Sequence, residues 1–265
     1  MKNTILKSSL SPEGILKLTL NSPHNHNVLS EEMILNIQSS LDDSAINKLV
    51  RVIIISSEGP TFSAGHDLKE LTLGRKNSDK GRAYFKEIMT RCSKLMKTIV
   101  SNPKPIIAEV SGTATAAGCQ LVASCDLAYA SKSAKFATPG VNIGLFCSTP
   151  MVAVSRNLSN KHSMEMLLTG ELVSADKAEK IGLINKAVDD TSLKQQTLDM
   201  AHKISNKSAI TLKIGKEAFY KQIDMTLSEA YDYASNVMVE NMLKLDAEEV
   251  INAFIDKRKP NWQDK

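Results

Sequence analysis

KPIIAEVSGTATAAGCQLVASCDLAYASKSAKFATPGVNIGLFCSTP, from Lys104 to Pro150, is the stretch whose reading decides the fold. It begins with a β-rich run, Ile106-Ile107-Ala108-Glu109-Val110, and turns at Gly112. Small residues follow from Thr113 to Gly118, then a second apolar-rich run from Leu121 to Tyr129. Strand, small-residue turn, helix is the order this pattern predicts. A helix opening near Ala116 leaves its first backbone N–H groups without intrahelical partners, with only Ala, Gly and Thr beside them. An oxygen carrying negative charge can approach such a corner closely. The same pattern suits a helix that merely packs tightly on a sheet, and this stretch alone leaves both readings open.

A second stretch, GPTFSAGHDLKEL from Gly59 to Leu71, follows the apolar strand Val52-Ile53-Ile54-Ile55. The two together resemble the enoyl-CoA hydratase/isomerase, or crotonase, superfamily. Its first pattern, an aromatic residue followed by small residues, A-G-x-D and an aliphatic residue, reads here as Phe62 to Glu70. Its second and third patterns fall on Lys104 to Gly112 and on Ala116 to Asp126. The resemblance continues through Asn27-Val28-Leu29, Leu168-Thr169-Gly170-Glu171, Gly182-Leu183 and Ala253-Phe254 to Pro260, covering nearly the whole chain in the family's order. Within the family it looks closest to the enoyl-CoA hydratase domain-containing members that lack the usual pair of glutamates.

The resemblance implies an α/β crotonase fold, a spiral of ββα units with a helical C-terminal region. Residues 1–200 would form the spiral core and residues 201–265 a helical trimerisation region, assembled as a trimer or hexamer. It also implies an acyl-CoA thioester substrate, as in fatty acid metabolism, handled by lyase or isomerase chemistry. Coenzyme A would be part of the substrate, with no tightly bound cofactor. When a proton leaves the carbon beside a thioester carbonyl, charge moves onto the oxygen, and two fixed N–H donors lower that barrier. By motif position these are the backbone N–H groups of His66 and Ala117. Ala64, His66, Asp67, Leu68 and Lys69 would lie along coenzyme A, and Phe254 and Lys257 would reach its adenosine end in an adjacent subunit. Read without the resemblance, Lys257-Arg258-Lys259 is a solvated helix end favoured by the helix dipole.

The departures from the pattern matter more than the matches. The family's hydratases use two glutamates to activate water and to move the proton. This chain has Gln120 at the first position and Gly140 at the second. An amide is not a useful base and glycine has no side chain, so ordinary hydratase activity is expected to be weak. No Asp or Glu stands between Gly140 and Pro150. Cys147 or Ser148 with His66 reads as a nucleophile and base, against the plainer reading that Ser148 and Thr149 start a helix and Cys147 packs. Asp67 and Asp126 stand at junctions of elements and are expected to hold turns by accepting backbone N–H bonds.

Composition bounds the remaining readings. The 265 residues are long for one domain but can bury a sizeable core, and nothing suggests an independent second domain. Thirty-three basic and 29 acidic residues are mixed along the chain, giving +4 without a polybasic stripe. Nucleic acid is therefore not the expected partner, and a phosphate-bearing small ligand suits the balance better. No run of about 18 apolar residues and no signal-peptide core appear, so neither membrane association nor secretion is expected, and a soluble, cytoplasmic protein is. The four cysteines show no C-x-x-C pair and sit as reduced core thiols do. His24 and His26 lie in a Pro-Asn context that reads as a surface turn, and no metal site is expected. Two alternatives to an enzyme stay in view: a coenzyme A thioester binding protein without hydratase activity, and an RNA-binding or structural oligomer.

Elsewhere Ile15 to Leu20 alternates as a strand with Leu16, Leu18 and Leu20 on one side, and Ser30 caps a helix running toward Leu41. Leu73 to Arg82 reads as a mobile loop before an amphipathic helix from about Ala83 to Val100. Thr149-Pro150 reads as N-cap and first helical residue, Ser174 caps a helix ended by Gly182, and Thr226 with Glu229 forms a capping box. Lys194 to Ser205, Ala209 to Gln222, Leu227 to Leu243 and Glu248 to Arg258 are the remaining helices.

Overall fold

The computed structural model describes residues 4–265. Three successive strand pairs build the frame, each placing its first strand in one sheet and its second in another. β3 (Val52–Ser57) is followed by β4 (Thr61–Ser63), β5 (Ile106–Val110) by β6 (Thr113–Thr115), and β7 (Leu127–Ser131) by β8 (Lys135–Ala137). The first strands join β1 (Leu6–Leu10), β2 (Ile15–Leu20) and β10 (Lys186–Val188) in a six-stranded sheet ordered β1-β2-β3-β5-β7-β10. All its pairs are parallel except β1 with β2. The second strands, with β9 (Val173–Ser174), make a four-stranded sheet ordered β4-β6-β8-β9. This is the expected α/β spiral.

The central strands are apolar along their whole length because both faces are covered. Ile53 and Ile55 belong to the larger core while Ile54 and Val52 belong to a smaller one on the other face, as parallel strands packed on both sides require. The larger core also takes Met33, Ile34, Ile37 and Leu41 of α1 (Glu31–Ile46), Ile88, Leu95 and Ile99 of α3 (Arg82–Ser101), and Phe62 and Phe136 of the second sheet. Each such fully buried side chain stabilises the fold by about 1.5–3 kcal/mol relative to exposure. The smaller core is closed by Leu193 and Ala201 of α8 (Leu193–Ser205).

The caps form where the sequence places them: Ser30 Oγ accepts the Met33 N–H, Ser174 Oγ accepts the Lys177 N–H of α7 (Ala175–Ile181), and Thr226 with Glu229 closes a capping box. Several boundaries differ. α1 continues past Leu41 to Ile46, its inner face extended by the buried Leu41 and Ser44. The expected loop is partly helical: α2 (Leu68–Gly74) is capped by Asp67, and only residues 75–81 turn before α3. α5 (Ser148–Val154) starts two residues early, with Cys147 as N-cap, which puts Pro150 in the first turn, where its missing N–H is not needed. After α6 (Asn160–Thr169), α9 (Ala209–Gln222) matches its expected bounds and α10 (Leu227–Met242) nearly so. The last helix, α11 (Leu245–Ile255), lies three residues upstream of its expected place, because Lys257 takes a left-handed conformation (φ 53°) that a helix does not continue through. β1 was not expected from the sequence. Among the described residues no helix is long and apolar enough to cross a membrane.

Candidate active site

The site is built around the start of α4 (Ala117–Ser124). Gly118 explains why only small residues suit this corner: a Cβ there would stand 2.2 Å from the Ser63 carbonyl oxygen. The first turn of α4 is thus pressed onto β4, and the chain leaving β4 passes directly beside it. Gly65, at φ 87°, would place a Cβ 3.0 Å from the Ala117 nitrogen. A neighbouring strap fixes that passage. Ala64 N–H donates to the His26 carbonyl at 3.0 Å, and Leu29 N–H to the Gly65 carbonyl at 2.7 Å. The strap is locked by the fully buried Asn27, whose amide donates to Glu58 and Thr61 carbonyls and accepts the Ser22 N–H.

Both backbone donors singled out in the sequence are free of backbone acceptors, and the residue before one of them, Gly65, lies against the other, Ala117. Ala117 is the first residue of its helix, so its N–H has no partner in the preceding turn, and the His66 N–H finds no acceptor in the bridge between Leu29 and His66. Ala116, which aims the helix start, adopts φ 51° and ψ −120°, a conformation an alanine rarely takes. Its N–H is held by the Ala137 carbonyl at 2.9 Å, so β8 fixes the corner from the other side.

Side chains around the corner share one property. The Gln120 Oε1, the Thr138 Oγ1 and both ring nitrogens of His66 are buried without a hydrogen-bond partner. Gln120 stands one turn into α4, and Thr138 directly follows β8. Burial pushes the His66 pKa down and outweighs the opposing influence of the Leu29 backbone, so the ring is neutral near pH 7. Gly140 lies in a 3-10 turn (Pro139–Ile143) at ordinary φ. The place of a side chain there is filled: a Cβ would meet Cys147 Sγ at 2.9 Å and the Leu145 carbonyl oxygen at 2.8 Å. Gly140 N–H donates to that sulfur at 3.3 Å.

The other candidates divide cleanly. No hydrogen bond joins Cys147 or Ser148 to His66; the Ser148 hydroxyl donates to the Phe146 carbonyl, and burial raises the Cys147 thiol pKa, which removes the thiolate a nucleophile needs. Asp67 caps α2 through the Lys69 N–H at 2.8 Å, while the side chains of Leu68 and Lys69 face solvent. Glu70 accepts the Glu31 N–H at 2.9 Å and so serves the start of α1. Phe254 is 84% exposed on α11, and within one chain no hydrogen bond or ion pair links it or Lys257 to residues 64–69. Among the described residues no cluster of His, Cys, Asp and Glu suited to a metal is present.

Asp126 is the buried carboxylate whose partners the sequence did not reveal. Its oxygens accept the Ile106 N–H at 2.7 Å, the Lys216 ammonium at 2.7 Å and the Tyr220 hydroxyl at 3.0 Å. Lys216 also donates to the carbonyls of Ile99 and Lys104. Burial raises the Asp126 pKa and lowers that of Lys216, so each charge persists there only because the other is present.

A strand-loop strap laid against a small-residue helix start, on a frame of strand pairs shared between two sheets, defines the class, and comparison with known proteins agrees. Residues 11–265 match the family model described as enoyl-CoA hydratase/isomerase, and the chain belongs to that family. It is 48% identical over 257 residues to the mouse (Mus musculus) enoyl-CoA hydratase domain-containing protein 3, mitochondrial, covering 97% of this chain and 84% of that protein. Its fold superposes on the crystal structure of a Mycobacterium smegmatis enoyl-CoA hydratase with a TM-score of 0.94 and 42% identity, covering 98% and 99% of the two chains. The human enoyl-CoA hydratase domain-containing protein 3 gives a TM-score of 0.93 at 46% identity, covering 98% and 100%. The mitochondrial designation of the mouse, rat, human and frog relatives overturns the cytoplasmic expectation. The absence of an apolar signal core spoke only to secretion, whereas mitochondrial leaders are amphipathic and basic.

Proposed function

We propose that this protein acts on an acyl-coenzyme A thioester by holding the thioester oxygen between the N–H groups of His66 and Ala117. The observation that supports this reading is the approach of Gly65, the residue before His66, to the Ala117 nitrogen, where neither the His66 nor the Ala117 N–H has a backbone acceptor. Loss of a proton from the carbon beside the carbonyl moves an electron pair onto the oxygen, and donors fixed before the reaction need no reorganisation to receive it. They are backbone groups, so Ala117 serves without regard to its methyl.

What the corner lacks is a proton carrier. Gln120 is an amide and the Gly140 position is filled by the protonated Cys147 thiol, so ordinary enoyl hydration is slow here: a general acid and a general base each typically contribute about 10² to 10⁴ in rate. That deficit equally favours a thioester-binding protein without hydratase turnover as the second reading. The relatives' designation supports a mitochondrial setting. The exposed apolar side chains of α10 and α11, Met238, Val239, Met242, Ile251 and Phe254 among them, support assembly into a trimer or hexamer with the C-terminal helical region at the interface. Sedimentation at micromolar concentration is expected to give a trimer or hexamer, and a stable monomer would remove the cross-subunit role of Phe254 and Lys257.

Ala117→Pro tests the central assignment. Proline suits the first position of a helix and deletes the donor, but it also restricts Ala116, which sits at φ 51°, so the change is made together with Ala116→Gly and read against Ala116→Gly alone. Enolate-analogue affinity or thioester turnover should fall about 10²- to 10³-fold in a variant whose circular dichroism matches the parent. Unchanged affinity in the folded variant would defeat the assignment.

A further inference from the structure

The tail that follows α11 carries a carboxylate held as a bound anion would be. Asp264 accepts from both terminal nitrogens of Arg51, at 2.6 and 3.5 Å, and from the Ala209 N–H at 2.8 Å. Its surroundings hold more positive charge than one carboxylate answers. Ile53 of β3 pairs with Ile106 of β5, and Arg51 and Lys104 each stand two residues before that pair, so the two cations come up side by side. Burial and the charges of Arg51 and Lys213 push the Lys104 pKa down, against the pull of Asp264. Lys259 joins Arg51 in the wall of a cavity of about 630 Å³ that also takes Asn206, Asn261 and Trp262. Among the described residues, the ammonium groups of Lys104, Lys213 and Lys259 make no hydrogen bond or ion pair. The neighbouring Asp246, 1% exposed, is already taken up by the Ser208 hydroxyl and the Gln263 and Asp264 N–H groups. This place is remote from the thioester corner. Arg51 and Lys104 precede the N-terminal ends of β3 and β5, and the corner is built by the chain that follows their C-terminal ends, so strands of six and five residues, roughly 15–20 Å, lie between.

We propose that this cavity is a second binding site, for a small phosphorylated molecule, and that Asp264 is the displaceable stand-in for its phosphate group. A phosphate offers more acceptor oxygens than a carboxylate and a larger charge, so it takes over Arg51 bidentately and draws Lys104 and Lys259 to the same group. The cavity has the size of a small-molecule site, within the usual range of roughly 300–1,000 Å³, and leaves room beside Trp262 for the rest of the ligand. The cations surround a hollow and do not run along a face, which suits a compact anion better than a nucleic acid backbone. Entry of the ligand releases Asp264 from Arg51 and Ala209, and with it the tail segment that Trp262 pins by donating to the Asn206 carbonyl at 2.8 Å.

Trp262 is the chain's only tryptophan, so intrinsic fluorescence reports on the tail directly. The full chain is titrated with inorganic pyrophosphate at constant ionic strength, a probe that has neither an acyl chain nor an adenosine to engage the thioester site. Trp262 emission should change saturably, and calorimetry should give the same dissociation constant. Asp264→Asn removes the competing charge and should tighten pyrophosphate binding about tenfold, as expected when the open form is otherwise a minor one. Lys259→Gln should weaken it about two- to fivefold, the effect of one exposed charge, and Arg51→Gln by more than about tenfold. No saturable change in either the parent or Asp264→Asn would overturn the proposal. Binding that neither Asp264→Asn nor Lys259→Gln alters would overturn it too, since the anion would then lie elsewhere. Calorimetric binding with unchanged Trp262 emission would overturn the displacement of the tail. Asp264 and Lys259 are exposed, so their variants decide the matter even where Arg51→Gln does not fold.

Discussion

The two ends of α4 bury polar groups in opposite ways. At its start, the backbone N–H groups of His66 and Ala117, the Gln120 amide oxygen and the Thr138 hydroxyl have no partner in the chain. Just beyond its end, Asp126 is saturated by a backbone N–H, an ammonium and a phenol, and Lys216 is saturated in turn by two carbonyls. A surface cavity lined by Asp126, Asn157 and Asn185 opens there, but its amides are already committed, Asn185 to the Ala128 N–H and Asn157 to the Ala123 carbonyl. The helix is eight residues long, so one element carries both arrangements. Satisfied burial at one end fixes where the helix stands, and unsatisfied burial at the other leaves hydrogen-bonding capacity for a ligand.

The comparison breaks most visibly if the satisfied end is opened. Lys216→Met leaves Asp126 buried without its cation, and removing one partner of a buried pair typically costs about 3–5 kcal/mol. Urea denaturation should show a loss of that size, with part of it recovered in Lys216→Met combined with Asp126→Asn, since the uncompensated charge is then gone. A loss below about 1 kcal/mol in the single variant would mean that the pair does not anchor α9 to the sheet.

Much of this was legible in the sequence, and the parts that were not share a cause. Local signals carried the strands Ile15 to Leu20 and Ile106 to Val110, the caps Ser30 and Ser174, and the small-residue corner itself, because each rests on a few adjacent residues. Asp126 read correctly as a structural carboxylate, but its partners Lys216 and Tyr220 lie about ninety residues away, on a helix whose periodicity says only that it is amphipathic. The packing of Cys147 against Gly140 was hidden for a related reason: a glycine in sequence signals a missing side chain, not what occupies its place. Gly140 has an ordinary backbone, and the obstacle to a side chain there is contact with Leu145 and Cys147. Thr138 carried no signal at all, because a threonine after a strand is commonplace until its hydroxyl proves to have no partner.

A smaller effect probes the unsatisfied end through protons. Burial depresses the His66 pKa below its ordinary 6.5, so the folded protein holds the ring neutral while the unfolded chain protonates it near the ordinary value. Its contribution is therefore fully present above pH 6.5 and is lost as pH falls through the depressed folded value. His66→Ala keeps the backbone donor and deletes the ring. Its melting temperature should vary less between pH 7 and pH 5 than that of the parent, and parallel curves for the two proteins would show that the ring carries no linked proton.

The smallest expected effect concerns what the unsatisfied corner costs in backbone strain. Ala116 at φ 51° and ψ −120° occupies a region that favours glycine, at a cost of order 1–3 kcal/mol. Ala116→Gly relieves that strain but loosens the unfolded chain by about 0.5–1 kcal/mol, so a net gain of about 1 kcal/mol is expected. For a chain of this size that is a rise of about 2–4 °C in melting temperature. The glycine keeps the Ala137 hydrogen bond, which is a backbone contact, yet permits the corner to sample other conformations in which the Ala117 N–H points elsewhere. Thioester affinity should therefore fall modestly while stability rises. An equivalent gain in both would show that the strained alanine has no part in aiming the donor, and a loss of stability would show that the Ala116 methyl packed against Gly65 matters more than the torsion it forces.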